Sequence, residues 1–258
     1  MKLTVKLGGV AGAHAAGLAA LVEAATPDWV IVHGGGSEIA TWSDRLGLQP
    51  RVVDGLRVTD AATLDVVTAV LRGLLNARLV ASFAAAGTAA IGISGVDGGL
   101  VTAIQDHRLG FVGHVTDVNV GLLDRLSAEG LLPIVAPIGA DAHGQLLNIN
   151  ADEAAGAVAA ARGGRLLLLT DVAGVERDGR LISTLDADDA RGMLADGSAA
   201  GGMRPKLRAA IAAAKAGCDV RILDGRSAKD VRAALAGAGV GTQIVKAAGV
   251  APVAGGQS

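Results

Sequence analysis

Three observations predict an α/β fold wound on a mainly parallel sheet. Short β-rich runs alternate with alanine-rich helical stretches from the first residues onward. The runs LTVKL, WVIV and RLLLL are almost unbroken aliphatic sequence, the pattern of strands covered on both faces. Glycine-rich segments, KLGG at 6–9 and HGGG at 33–36, stand where strands give way to helices, the points at which doubly wound sheets bind ligands.

The elements follow in order. Leu3–Leu7 and 29–32 read as strands, with a helix over 13–25 between them. A helix from the glycine triplet to about residue 46 is followed by a looped stretch through Arg57. Thr59 or Asp60 then caps a helix running to about residue 86, roughly 40 Å long and suited to a subunit interface. From 88 to 115 the segments AAIGIS, LVTAIQ and FVGHVT read as β-hairpin material beside the parallel sheet. A helix over 119–128 and a strand over 131–136 come next. Asn150 and Glu153 form a capping box for a helix at Ala151–Arg162. The strand 165–169, a turn at TDVAG, a helix over 204–216, a strand over 220–223 and a helix at Ala228–Leu235 complete the pattern, and no periodicity is visible beyond about 247.

Composition narrows the function. The 258 residues are 51% apolar, enough for a sizeable core, yet contain two Phe, two Trp and no Tyr. No aromatic platform is available for stacking single-stranded nucleic acid, and interspersed charges with a net of -2 predict no footprint for nucleic acid or anionic membrane. The single Cys218 precludes an internal disulfide and reads as a structural thiol rather than a nucleophile. The five histidines show no metal-binding spacing, so no protein-held metal is expected. Residues 1–10 read directly as strand, with no export signal or membrane span, which points to the cytoplasm.

Two lysines carry the chemistry. Lys6 closes the first strand beside Gly8 and Gly9, which would let a phosphate approach the backbone; alone, it could simply reach into solvent. Lys206 falls in the first turn of a helix behind Gly201 and Gly202, where a cation opposes the helix dipole. Two ammonium groups brought together by folding suit an anionic transition state such as a transferring phosphoryl group. HGGG offers backbone N–H groups at a helix start for an anion, although a tight turn would also explain a glycine there. It is neither a Walker A loop nor Gly-x-Gly-x-x-Gly. Arg57 offers a planar fork for a carboxylate, or else an ordinary pair with Asp54 or Asp60. In LLNINADE, Asn148, Asn150 and Asp152 gather where a strand meets a helix, and Asp152 is either the partner of the lysines or a first-turn helix acid. TDVAGV is a candidate contact for a nucleotide, or a plain turn.

Together these segments resemble the amino acid kinase family, and within it the acetylglutamate kinases. KLGG, HGGG, DGLRVTDAATLDVV, GFVGHVTDVN, NINADEAA, LLTDVAGV and GGMRPK occur in family order across nearly the whole chain. The resemblance implies an open three-layer αβα sandwich with a mainly parallel central sheet, of carbamate-kinase-like type. It implies an N-terminal lobe (about 1–164) for the acyl amino acid and dimerisation, and a C-terminal lobe (about 165–246) for ATP. The implied reaction moves the ATP γ-phosphoryl group to the side-chain carboxylate of N-acetyl-L-glutamate, the second step of arginine synthesis. By the same resemblance Lys6 and Lys206 stabilise the transition state and Asp152 organises them, while Gly35, Gly36, Arg57 and Asn148 hold the acyl amino acid. Gly9, Thr170, Asp171, Val172, Ala173, Gly174, Val175, Glu176, Ser198, Ala199, Ala200 and Met203 would contact the nucleotide. Magnesium would arrive with ATP, held largely by phosphates and water.

Two departures qualify the match. Ala77 replaces the lysine of a Val-Asn-Lys run, and the first strand begins at residue 3, without the extra N-terminal helix of arginine-inhibited hexameric relatives. A homodimer insensitive to arginine is therefore expected. The competing readings are a kinase for aminoadipate or for glutamate on a carrier protein, whose loop is usually more basic and longer than GLRVTD; a non-catalytic sensor, which would lack the lysines; and a dinucleotide-binding oxidoreductase, disfavoured by the missing glycine pattern.

Overall fold

The computed structural model describes residues 1–8 and 15–246. Eight strands form the central sheet in the order β14-β16-β15-β11-β1-β2-β8-β5. These are β1 (Leu3–Leu7), β2 (Trp29–His33), β5 (Ala90–Ser94), β8 (Leu132–Ala136), β11 (Arg165–Thr170), β14 (Thr184–Asp186), β15 (Asp219–Asp224) and β16 (Thr242–Val245). All neighbours are parallel except β15 and β16.

Alternation along each strand builds the layers. Val30, Val32, Leu166 and Leu168 face one cluster, with α6 (Ala151–Arg162) and α8 (Met203–Lys215); Leu3, Val5, Ile31, Leu167 and Leu169 face another, with α1 (Ala15–Ala24), α4 (Asn76–Ala85) and α9 (Ala228–Leu235). The predicted three layers are present. Because Leu3, Val5 and Leu7 point to the α1 side, Lys6 points to the α6 side.

The long helix is also present, as α3 (Ala61–Thr68), a π-helical stretch Ala69–Leu75 and α4 in one run, with Asp60 accepting from Thr63 N at 2.8 Å as its cap. Ala61–Ala85 has the length and mean hydropathy, 1.4, of a membrane span, but 44% of its most apolar stretch is buried inside the protein. Its inner residues Val67, Leu71, Leu75, Leu79 and Phe83 are core.

Several expectations are corrected. AAIGIS is not hairpin material: it is β5, parallel to β8 in the main sheet. The true hairpin, β6 (Val101–Asp106) with β7 (Val112–Val118), closes with β9 (Ile138–Ala140) and β10 (Leu146–Ile149) into a small barrel. The stretch before Arg57 is not a loop but the hairpin β3 (Val52–Val53) and β4 (Leu56–Arg57), turned by Asp54 at φ 51° and Gly55 at φ 82°. α8 starts at Met203, one residue earlier than expected. α2 (Gly36–Arg45) and α5 (Val120–Ala128) match their signals, whereas α7 (Ala187–Ala195) and the hairpin β12 (Glu176–Arg177) with β13 (Arg180–Leu181) were not anticipated. Cys218 is buried, with its thiol donating to Ala159 O at 3.2 Å and burial raising its pKa.

Candidate active site

The carboxyl ends of β1, β2 and β11 meet the amino ends of α2, α6 and α8 along one edge of the sheet. Asn150 Oδ1 caps α6, accepting from Asp152 N at 2.9 Å and Glu153 N at 3.0 Å, which fixes Asp152 in the first turn facing β1. Only half of the capping box forms: Glu153 accepts from Val115 N at 2.8 Å and pairs with His114 instead, tying α6 to the barrel.

Lys6 and Lys206, far apart in sequence, converge on that one carboxylate. Lys6 Nζ lies 2.9 Å from Asp152 Oδ1, and Lys206 Nζ lies 3.5 Å from Oδ2. The Lys6 approach is an ion pair set off the hydrogen-bond line of Oδ1, so charge rather than alignment dominates it. Lys206 also donates to Gly202 O at 3.2 Å. The side chains of Lys6, Lys206 and Asp152 are 7%, 13% and 6% exposed, too buried for a lysine merely reaching into solvent. Burial lowers the Lys206 pKa, Asp152 opposes that and Lys6 adds to it. Two lysines share one carboxylate, with Asp171 as a further acidic neighbour of Lys206.

Beside them a cleft of about 230 Å³ is lined by Lys6, Asp152, Gly34, Gly35, Gly36, Arg57 and Asn148, together with Asn150 and the β3–β4 hairpin residues Val52, Gly55 and Leu56. Gly35 caps α2 with no side-chain hydrogen bond, so the first amides of that helix lack intrahelical acceptors. A Cβ at Gly35 would overlap the Cδ methyls of Leu71 and Leu75, so those buried side chains would have to shift to admit any other residue. Arg57 pairs with neither Asp54 nor Asp60. Its Nη2 donates to Gly36 O at 3.3 Å, its Nη1 is buried without a partner, and burial lowers its pKa. Asn148 Nδ2 donates to Thr59 Oγ1 at 3.0 Å.

The expected nucleotide contacts sit apart from this cleft. Thr170 closes β11 and donates to Asp171 Oδ1 at 3.1 Å; the Asp171 carboxyl is held below its usual range by its own backbone N–H, then Thr170, with Lys206 adding to it. Val172, Ala173 and Glu176 are exposed, while Val175 is buried and its N–H donates to Thr242 Oγ1 at 2.8 Å. Gly174 packs on β16, where a Cβ would lie 2.6 Å from Thr242 Oγ1. Ser198 and Ala200 are exposed, Ala199 is buried and Met203 half-buried at the start of α8. Gly9 lies outside the described residues.

Sequence reasoning missed the β3–β4 hairpin as a wall of the cleft, although Asp-Gly between Val-Val and Leu-Arg is a hairpin signal. Val112, Pro137 and Ile149, which bring the barrel to the cleft, carried no local signal.

The chain as a whole is similar to known proteins. The family model for the amino acid kinase family matches residues 1–224. The chain belongs to the amino acid kinase family. An acetylglutamate kinase of Roseobacter denitrificans is 50% identical over 202 residues, covering 77% of this chain and 70% of that protein. An acetylglutamate kinase of Methanopyrus kandleri is 45% identical over 227 residues, covering 83% and 91%. Among solved structures, N-acetylglutamate synthase from Neisseria gonorrhoeae complexed with coenzyme A and N-acetyl-glutamate aligns with a TM-score of 0.81 at 25% identity, over 96% of this chain and 60% of that one. The family membership accords with the mainly parallel central sheet.

Proposed function

We propose that this protein transfers the γ-phosphoryl group of ATP to the side-chain carboxylate of N-acetyl-L-glutamate, giving N-acetyl-L-glutamyl 5-phosphate and ADP, the second step of arginine biosynthesis. The observation that carries it is the meeting of Lys6 and Lys206 on Asp152 at the mouth of a cleft that ends at the unpartnered Arg57 nitrogen.

The acceptor carboxylate is already ionised at neutral pH, so no general base is required. Catalysis reduces to alignment and neutralisation of charge on the phosphoryl oxygens. Lys6 and Lys206 flank the migrating group, Asp152 holds both in place, and the amides of Gly35 and Gly36 donate to anionic oxygens. Arg57 takes the α-carboxylate and Asn148 a further polar group of the acyl amino acid. ATP enters as its magnesium complex along 170–176, 198–200 and Met203. The lobes divide near 164, with the acyl amino acid on the first and the nucleotide on the second.

A homodimer is the working form in this reading, supported by the apolar groove of Trp42, Leu46, Val66, Val70 and Leu74 beside the long helix. A cytoplasmic setting fits the two soluble substrates.

Purified protein given ATP with N-acetylglutamate and N-acetylaminoadipate in competition tests the assignment. One methylene is worth about 1–3 kcal/mol, so preference for the glutamyl substrate by about tenfold or more is expected. Preference for the aminoadipyl substrate, or no ADP from either, contradicts it.

A further inference from the structure

His33 and Asn76 are fully buried, and their hydrogen bonds run to each other and to backbone carbonyls rather than to either lysine. Asn76 begins α4, at the end of the π-helical stretch. Its Nδ2 donates to Ile134 O on β8 at 2.8 Å and reaches Ile93 O on β5 at 3.4 Å. Those two carbonyls require the NH2 end of the amide there, because an oxygen in its place would face acceptors only. The same Nδ2 lies 3.2 Å from His33 Nε2, so Nε2 is an acceptor and the ring proton sits on Nδ1. Nδ1–H then donates to Gly34 O at 3.1 Å. Burial lowers the His33 pKa to about 4, with the Gly34 bond and the Glu38 carboxylate opposing. The ring therefore stays neutral and in one tautomer at neutral pH.

Carbonyl and N–H of a trans peptide point in opposite directions. With the Gly34 carbonyl held inward on His33, the N–H of Gly35 in the same peptide faces the cleft it shares with Lys6. We infer that His33 is a positioning residue, its Asn76-fixed tautomer holding the Gly34–Gly35 peptide so that the Gly35 amide donates to an anionic oxygen of the transferring group. The inference rests on the kinase reading above and names a residue that acts through the glycine loop.

Two substitutions separate this role from simple packing. In His33→Asn the amide nitrogen stands near the Nδ1 position and still donates to Gly34 O. In His33→Gln it stands near Nε2 and cannot. Losing one fixed donor to transition-state charge costs about 100-fold or more, and a donor misaimed rather than deleted costs less. With purified full-length protein, kcat for ADP formation from N-acetylglutamate is expected to fall about 10- to 100-fold in His33→Gln, with KM changed less than about threefold. His33→Asn should stay within about threefold of wild type. Equal losses in both variants, or wild-type kcat in His33→Gln, overturn the inference. Long-range nitrogen–proton NMR correlation of the wild-type imidazole is expected to show Nδ1–H; an Nε2–H tautomer overturns it whatever the variants do. Wild-type protein that fails to phosphorylate N-acetylglutamate contradicts the proposed function instead, and the tautomer then decides the His33 claim alone.

Discussion

Around Arg57 and the 34–36 loop, polar groups are left without protein partners: Arg57 Nη1 is buried with none, and the first amides of α2 have no side-chain cap. Around 170–176 and 198–200 the polar groups are exposed or already bonded, Val175 N–H to Thr242 and the Ser198 hydroxyl to Asp196 Oδ1 at 2.6 Å. In the proposed reading the first region is the pocket for a small anion. The second is a set of turns whose shape is fixed by their own contacts, and in the same reading it would meet the nucleotide from the surface. The two meet at the shared carboxylate, where Lys6 comes from the first and Lys206 from the second, and again where Gly55 of the β3–β4 hairpin lies close to Gly201 and Pro205. On the proposed assignment, preorganisation belongs to the acceptor end, and the nucleotide end relies on Lys206 and the α8 start to join it.

If that division is right, removing either lysine is the most damaging change. Lys6→Ala and Lys206→Ala should each lower kcat by about 10³-fold or more while the protein still folds, measured by ADP release and circular dichroism. Retained turnover in either variant breaks the comparison at its meeting point. Asp152→Asn comes next, because it leaves two buried cations without their anion. It should cost about 3 kcal/mol of unfolding free energy and about 100-fold in kcat, and added ADP or sulfate should restore part of the stability.

Acid should attack the acceptor end first. The His33 pKa falls from 6.5 to about 4 on folding, so the unfolded chain binds the extra proton between those values and stability is lost as pH drops through that window, by about 3 kcal/mol at pH 4. Carboxylates held low, such as Asp171, contribute loss only near and below their ordinary value of 3.8. Denaturant titrations of wild type and His33→Asn should therefore diverge between pH 6.5 and 4.5; parallel curves would remove His33 from the account.

Smaller effects sharpen the contrast. Arg57→Ala should raise KM for the acyl amino acid about 30-fold with kcat and ATP affinity nearly unchanged. Thr242→Val, which removes the acceptor behind Val175 N–H, should raise KM for ATP about threefold and leave the acyl amino acid unaffected. Any crossover between substrates in these two variants would show that the regions are not separate.

How much was legible in the sequence follows the same physics. Elements with a strong local signal were readable: the aliphatic runs of β1, β2 and β11, the Asp60 cap of the long helix, and the Asn150 cap of α6. AAIGIS carried β-propensity but nothing to tell a parallel edge strand from a hairpin, because its partner β8 lies some forty residues on. The barrel depends on β9 and β10 closing against β6 and β7, a pairing no local window contains. Glu153 had the spacing of a capping box, yet His114 and Val115 outcompeted Asn150 N–H for it. α7 was missed although Asp186 followed by Asp188 and Asp189 is a helix start, and Asp186 Oδ1 does accept from both amides at 2.8 Å. In the site, Lys6, Asp152 and Lys206 were legible because glycines and helix starts mark them. His33 was not: within VHGGG the glycines drew the attention, and its partner Asn76 arrives from a distant helix.

The convergence of the two lysines is tested most directly by a crystal structure with ADP, magnesium, N-acetylglutamate and an aluminium fluoride mimic of the phosphoryl group. Both Nζ atoms are expected about 3 Å from fluorines of the mimic, one from each side. Either ammonium left outside contact range, with the lobes closed over both ligands, contradicts the account.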